Sequence, residues 1–332
     1  MNSSSEFRQD LVSGDWVLIA PGRSSRKHNL KALTKKTKSV PIAKCPFEDL
    51  LQASAKPPLL QYGNDGKWRL AIIENKYPAL THHDSCPIPL TSGPYHHLAG
   101  DGRHEILITR DHRLNFSQLK PVAAGEVLRA LAERARGFAT DPCLEYVSIF
   151  QNYGARAGAS QSHPHYQLLA LPVVPPRMAH SLLGSRRYFS SHRTCGHCAM
   201  IEFERGYKQR IVYENQGAIA LSPYAAKNRF ELRVFPKKHL AFFERSSEDV
   251  LTAVAEALQA TLQSLRKAIY DPPYNFFIHT GPIRRRAEYE HYHWHIEIFP
   301  AIMNYAGFEL GTGVIINETD PDEAATILKK AL

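Results

Sequence analysis

Two histidines and a glutamine stand at alternate positions in His163-Pro164-His165-Tyr166-Gln167. In an extended strand, residues i, i+2 and i+4 share a face, so the three side chains project together. An imidazole set against a phosphorus atom attacks as a nucleophile and forms a covalent phosphoramidate. If a metal held His163, its ion would anchor the strand and leave His165 for that attack. Gln167 exchanges no proton at neutral pH, but its amide donates to a phosphoryl oxygen as charge builds there. Just upstream, Asn152 to Ser160 is small and glycine-rich, which lets backbone N–H groups and the Ser160 hydroxyl approach phosphate oxygens. Two histidines on a strand are by themselves as readily packing residues. The glycine-rich run in front turns the reading to phosphate chemistry.

A second chemistry sits at Cys195-x-x-Cys198, the spacing that lets two thiolates grip one tetrahedral ion from a tight turn. His239 and one histidine of the cluster His291, His293 and His295 would complete a structural zinc set; the competing reading is a redox or unligated thiol pair. Cys45, Glu48, His112 and His163 stand at matching positions upstream, with Glu48 in place of the second cysteine. Such a set either holds zinc through mixed donors or has lost its ion. The expectation is therefore one or two Zn2+ per chain. Cys86 and Cys143 read as plain core residues.

The elements that must position these groups repeat along the chain. His163 to Pro172 aligns without gaps on His291 to Pro300. Cys45 to Glu48 answers Cys195 to Cys198, Glu74-Asn75 answers Glu214-Asn215, and the strand ending at His112 answers the one ending at His239. A helix over about 122–140 and a strand over about 145–151 precede the first histidine strand. Before the second, Ser246-x-x-Asp249 predicts a capping box, followed by a helix with Val250, Val254, Leu258, Leu262 and Leu265 on one face and a strand near 274–279. This pattern predicts an α+β fold of two tandem units, residues 1–178 and 179–332, with antiparallel sheets and packed helices. Residues 172–177 and 181–194 read as linker, and a last helix follows Asp320-Pro321.

With 332 residues, 43% of them apolar, the chain can bury a sizeable core. Its longest apolar runs fall far short of the ~20 residues a membrane span requires. The opening residues lack the basic-then-apolar order of a secretory signal, and five cysteines argue for a reducing compartment, so a cytoplasmic location is expected. The formal net charge of +9 points to an anionic partner. Basic residues concentrate between Arg23 and Lys38 and at Arg284 to Arg286. No nucleic-acid-binding signature accompanies them, so a small phosphorylated substrate is the better partner than nucleic acid.

These motifs resemble the galactose-1-phosphate uridylyltransferase branch of the histidine-triad superfamily, with features of its ADP-glucose phosphorylase relatives. The resemblance runs through Asp10 to Arg23, Glu74 to Leu80, Gly158 to Gln167, His293-Trp294-His295 and Gly307 to Gly313. It implies two tandem histidine-triad-like repeats and ping-pong nucleotidyl transfer, with a nucleoside monophosphate carried on His165 and Gln167 steadying the transferred group. Ser160 would contact phosphate, Asn75, Tyr77 and Asn152 would hold the nucleoside, and Arg23 and Arg26 would meet the substrate phosphates. Phe308 and Glu309 fall in the segment that grips the sugar phosphate. The family pattern makes His293 the fourth zinc ligand. It also implies a nucleotide sugar, a sugar 1-phosphate or phosphate as substrates, and a homodimer whose sites borrow residues across the interface.

The leading expectation is a UDP-glucose–hexose-1-phosphate uridylyltransferase-like enzyme. Its rival is a phosphorylase of ADP-glucose or dinucleoside polyphosphates using the same nucleophile. A histidine-triad hydrolase, suggested by His291-x-His293-x-His295, is a weaker reading, because the glycine-rich loop precedes His163 and not His291, and Gln167 holds the third position there. A zinc-containing RNA-binding module is weaker too, since it leaves the pairing of glycine-rich loop and His165 unexplained.

Overall fold

The computed structural model describes residues 4–25, 40–54, 56–64 and 67–332. Arg26 and the lysine run after it lie outside the described residues. In chain order, strands β1 (Glu6–Gln9) and β2 (Trp16–Ile19) come first. Helix α1 (Leu50–Ser54) precedes β3 (Leu60–Asn64) and β4 (Lys67–Glu74). An exposed arm carries the hairpin β5 (Leu90–Ser92) and β6 (Tyr95–His97) and returns as β7 (Arg103–Thr109). Helix α2 (Pro121–Phe138), β8 (Tyr146–Tyr153) and β9 (His165–Leu171) complete the first half. The second half holds α3 (Pro176–His192), α4 (Gly196–Tyr207), β10 (Ile211–Glu214), β11 (Ala218–Leu221), β12 (Leu232–Pro236), α5 (Glu248–Ala268), β13 (Tyr274–His279) and β14 (His295–Pro300). Helix α6 (Gly307–Thr312), β15 (Ile315–Asn317) and α7 (Pro321–Lys329) follow.

Ten strands form one antiparallel sheet in the order β10-β11-β12-β14-β13-β8-β9-β7-β4-β3. The order reads the same from both edges: each half runs outward as a helix-preceded strand, a histidine strand, and then three more. The halves join where β8 pairs with β13, Phe150 opposite Phe277. Helices α2 and α5 cover one face. Val127, Leu128 and Leu131 meet Val254, Leu258 and Leu262 above Leu168, Phe276 and Ile296, all in a single apolar cluster. Each such side chain stabilises by about 1.5–3 kcal/mol relative to its exposed state. The helix spacing that places these residues on one stripe therefore leaves the other face of the sheet to the histidines.

Several expectations change here. Counterpart strands show that β9 begins at His165 and β14 at His295, so the repeat aligns His163 with His293, two residues away from the ungapped match to His291. Glu214-Asn215 ends β10, the counterpart of β3, and so does not answer Glu74-Asn75 at the end of β4. The capping box is absent: α5 starts at Glu248, Ser247 is the cap position and makes no side-chain capping bond, and Ser246 closes the preceding turn through its N–H to the Phe243 carbonyl. The stretch read as linker forms the 17-residue helix α3. Cys86 and Cys143 are not core residues without partners but a disulfide, tying the exposed arm to the turn after α2. Their separation of 57 residues hides the pairing from any local pattern.

The first described residues pack on the second half. β2 runs parallel to β15, and Arg8 pairs with Asp320 at 2.9 Å. Asp10 accepts from Arg233 at 2.9 Å and from the Val12 and Ser13 N–H groups at 3.0 and 2.8 Å. Helix α3 crosses so close that a Cβ at Gly184 would collide with the Val12 carbonyl. Burial disfavours the charged form of Asp10, but the Arg233 guanidinium and the Ser13 N–H outweigh it and hold the carboxyl well below the usual carboxylate range.

Asp10→Asn is expected to cost about 3 kcal/mol at neutral pH in urea unfolding, the lower end for breaking a buried ion pair, since Glu231 still faces Arg233 at 3.3 Å. Because the native carboxyl is the stronger acid, this difference should be complete above the unfolded carboxyl value of about 4 and shrink as the pH falls below it. Thiol titration of the denatured, metal-stripped chain should count three thiols before reduction and five after; five from the outset would refute the disulfide.

Candidate active site and metal-ligand clusters

Strand β9 alternates as its sequence demands. Tyr166, Leu168 and Ala170 enter the core, while His165 and Gln167 lie on the face opposite the helices. Ahead of it the glycine-rich loop turns through Gly154 and Gly158, both at positive φ (85° and 86°), a backbone that L side chains rarely adopt. Asn275 of β13 fixes this loop, donating to the Ala157 carbonyl at 2.7 Å and to Asn152 Oδ1 at 2.8 Å. Asn152 is thus held at the base of the loop, and Ser160 is exposed at its end.

The two predicted donor sets assemble as four-residue groups. In Cys45, Glu48, His112 and His163, and again in Cys195, Cys198, His239 and His293, the ligand atoms all lie within 4.8 Å of one another. Cys45 Sγ is 3.5 Å from His163 Nδ1, and Glu48 Oε1 is 2.8 Å from His112 Nδ1. Cys198 Sγ is 3.3 Å from His239 Nδ1 and 3.4 Å from His293 Nδ1. All four imidazoles meet a backbone carbonyl with the other nitrogen: His112 with Val40, His163 with Thr109, His239 with Glu290 and His293 with Pro236, at 2.8–2.9 Å. A carbonyl only accepts, so Nε2 carries the proton and each Nδ1 lone pair points into its cluster, the second-sphere arrangement of metal-bound histidine. The hydrogen bond between the two thiols, with others from His197, His239 and His293, pushes the Cys195 thiol well below the ordinary thiol range and the Cys198 thiol above it, so the pair shares one proton that a cation would displace. The donor chemistry of both clusters fits a tetrahedral ion.

His165 has the opposite polarity. Its Nδ1 donates to the His163 carbonyl at 3.0 Å, which leaves the Nε2 lone pair outward. Burial pushes its pKa below the ordinary imidazole range, only partly offset by that bond, and the neutral ring is the nucleophilic form. Phe47, from the Cys45–Glu48 turn, packs edge-on at 5.3 Å between ring centroids and holds the imidazole in place.

Other predicted residues divide. Asn75 is half-buried at the end of β4 and accepts the Tyr77 N–H at 3.0 Å, while the Tyr77 ring is 82% exposed. Arg23, ion-paired with Glu318 at 3.6 Å, and Glu309 line a cavity of about 250 Å³ with Arg156, Arg229, Met303 and Asn304; His165 and Gln167 are not among its walls. Phe308 is 45% exposed on α6. Arg23 and Glu309 thus share a cavity wall with Arg156 of the glycine-rich loop, and Phe308 is not among the residues that line it. His104 escapes the sequence reading, although its Nε2 lies 3.0 Å from Gln167 Oε1. Alternation along β7 was the available signal: Ile106 pairs with Gln167, so His104 shares the site face.

The second half carries a closed copy. His295 donates from Nδ1 to the His293 carbonyl at 3.1 Å, as His165 does to His163. Glu297 replaces Gln167, meeting His279 at 2.7 Å and Arg177 at 3.3 Å. The residual cavity, about 50 Å³, is walled by Asp10, Val12 and Ser13 of the N-terminal segment.

Comparison with known proteins agrees with this architecture. The family model for the N-terminal domain of galactose-1-phosphate uridyl transferase matches residues 2–175, and a domain of unknown function, DUF4921, matches residues 100–332. ADP-glucose phosphorylase of Arabidopsis thaliana is 32% identical over 333 residues, 99% of this chain and 93% of that one. Galactose-1-phosphate uridylyltransferase of Thermotoga maritima is 27% identical over 274 residues, 80% of this chain and 85% of that protein. The crystal structure of an Arabidopsis thaliana ADP-glucose phosphorylase with bound ADP-glucose is similar at a TM-score of 0.83 and 29% identity, covering 99% of this chain and 100% of that one. A duplicated antiparallel sheet, an outward-facing His165 behind a glycine-rich loop, and a relative this similar over nearly full length lead to one statement: the chain belongs to the galactose-1-phosphate uridylyltransferase family of nucleotidyltransferases.

Proposed function

We propose that the protein transfers a nucleoside monophosphate from a nucleotide sugar to a phosphate acceptor through a covalent intermediate on His165. The observation that carries this reading is the polarity of that imidazole, whose Nδ1–H is committed to the His163 carbonyl and whose Nε2 lone pair is not. In the first half-reaction Nε2 attacks the α-phosphorus, a P–N bond forms, and the P–O bond to the sugar phosphate breaks. In the second, an oxygen of the acceptor attacks the same phosphorus and the P–N bond breaks. Gln167 donates to the phosphoryl oxygens as charge accumulates, and Ser160 and the loop N–H groups hold the phosphates. Asn75, Tyr77 and Asn152 take the nucleoside.

ADP-glucose as donor and inorganic phosphate as acceptor are supported by the 32% identical phosphorylase and by the structural likeness to a phosphorylase with bound ADP-glucose. UDP-glucose with galactose 1-phosphate is the second reading, favoured by the N-terminal family match and by the Thermotoga maritima relative. The two Cys/His clusters would hold zinc, and zinc bound there would stiffen the strand ends that carry His163 and His293. We also place the protein as a homodimer. Arg23, Phe308 and Glu309 of one copy would serve the His165 of the other; Arg23 and Glu309 line a cavity whose walls do not include His165.

Brief incubation with ADP-glucose or UDP-glucose should add one nucleoside monophosphate to the intact protein by mass spectrometry. Phosphate or galactose 1-phosphate should then discharge it, the effective acceptor identifying the reaction. His165→Ala should remove the adduct and lower turnover by ~10⁴–10⁶-fold, the scale for deleting a nucleophile. An adduct that persists in this variant would sink the assignment. Elemental analysis should find about two zinc ions per chain and about one in Cys195→Ser, matching the two clusters; unchanged content would remove the second site.

A further inference from the structure

His104 lies on the site face of β7, diagonal to Gln167 across the β7–β9 pair. Three groups meet its ring. The backbone N–H of Ala79 is 3.1 Å from Nδ1, Gln167 Oε1 is 3.0 Å from Nε2, and Asn75 Nδ2, itself a donor, lies 3.4 Å from Nδ1 and 3.0 Å from Nε2, so with Nε2 protonated it can donate only to the Nδ1 lone pair it shares with Ala79. A backbone N–H can only donate, so Nδ1 holds a lone pair and the neutral ring carries its proton on Nε2. That proton has one acceptor, Gln167 Oε1. With the oxygen engaged, the amide's NH2 group is the end left for the substrate.

From this geometry we propose that His104 is a positioning residue: it orients the Gln167 amide with its donors toward the transferred phosphoryl group, and it pins to the same strand the 75–79 loop that holds the nucleoside. This inference rests on the nucleotidyl-transfer reading of His165. The coupling is specific. Asn75 accepts the Tyr77 N–H with its own oxygen and donates its backbone N–H to the His104 carbonyl at 2.9 Å, so loop, ring and glutamine form one connected set. Burial lowers the His104 pKa, and the Gln167 bond offsets this only in part, which keeps the ring in the neutral state that the arrangement needs. A histidine so placed touches no reacting atom. Its effect passes through Gln167 and the loop.

Single-turnover labelling of His165 by ADP-glucose and UDP-glucose provides the test. His104→Leu, which keeps bulk but no polar atom, should slow labelling by about 10–100-fold, the usual cost of losing a supporting hydrogen-bond partner. His104→Gln, which restores a donor toward Gln167, should recover most of the rate. In a Gln167→Ala background, His104→Leu should slow labelling clearly less than it does in the wild type, because the route through Gln167 is already gone and only the loop's share remains. Full additivity would overturn the proposal. Nitrogen-15 spectra of histidine-labelled wild-type protein, with the His104 signal assigned from the glutamine variant, should show protonated Nε2 and unprotonated Nδ1; the reverse tautomer or an imidazolium at neutral pH would overturn it without any turnover being measured. Wild-type protein that labels normally while both His104 variants match it would refute His104 alone. Wild-type protein that takes no label from either donor would refute the transfer reading, and this inference with it.

Discussion

In a neutral imidazole one nitrogen carries the proton and the other a lone pair, so the nitrogen that meets a carbonyl leaves its partner to bind or attack. The protein uses this at both donor clusters and at His165. His112, His163, His239 and His293 spend Nε2–H on backbone carbonyls and turn Nδ1 into the donor clusters, whereas His165 spends Nδ1–H and turns Nε2 outward. The carbonyl that His165 uses belongs to His163. Two histidines, one just before β9 and one at its first position, thus receive opposite roles from the backbone, and this strand end must be held rigidly for the roles to persist. The sheet, the glycine-rich loop and the ring of Phe47 supply that rigidity.

Duplication provided the scaffold, and divergence separated the two halves. Both keep a donor cluster and a histidine whose Nδ1 bonds two residues back along the chain. In the second half the equivalent face is filled by the N-terminal segment, and Glu297 is committed to His279 and Arg177. A carboxylate there repels a phosphoryl group, whereas the glutamine of the first half can donate to one. The closed copy now works as an anchorage for the chain's first residues.

Much of the site could be read from the sequence because period-two alternation and the Cys-x-x-Cys spacing are local. His163, His165, Gln167 and the Cys195–Cys198 pair follow from such rules, the internal repeat supplies Cys45, Glu48, His112 and His239, and the family resemblance chooses His293. Where the reading erred, competing matches or distant partners were responsible. His291, His293 and His295 offer two registers to an H-x-H pattern, and only strand pairing chooses between them. The Ser246 cap lost to a turn that claims its N–H. His104 carries no motif; its relation to Gln167 exists only once β7 and β9 are paired. The Cys86–Cys143 bond depends on where the arm folds back.

That bond closes a covalent ring of roughly sixty residues, and within it lie β7, His104, the cluster ligand His112 and all of α2. Tying such a ring removes about 4 kcal/mol of conformational freedom from the unfolded chain in the loop-entropy description. The effect acts on the denatured ensemble, so the arm can remain exposed and lightly packed while its covalent tether still contributes to the stability of the first half. The first donor cluster gains in the same way: one of its four ligands enters folding already leashed to the segment that leads into β8.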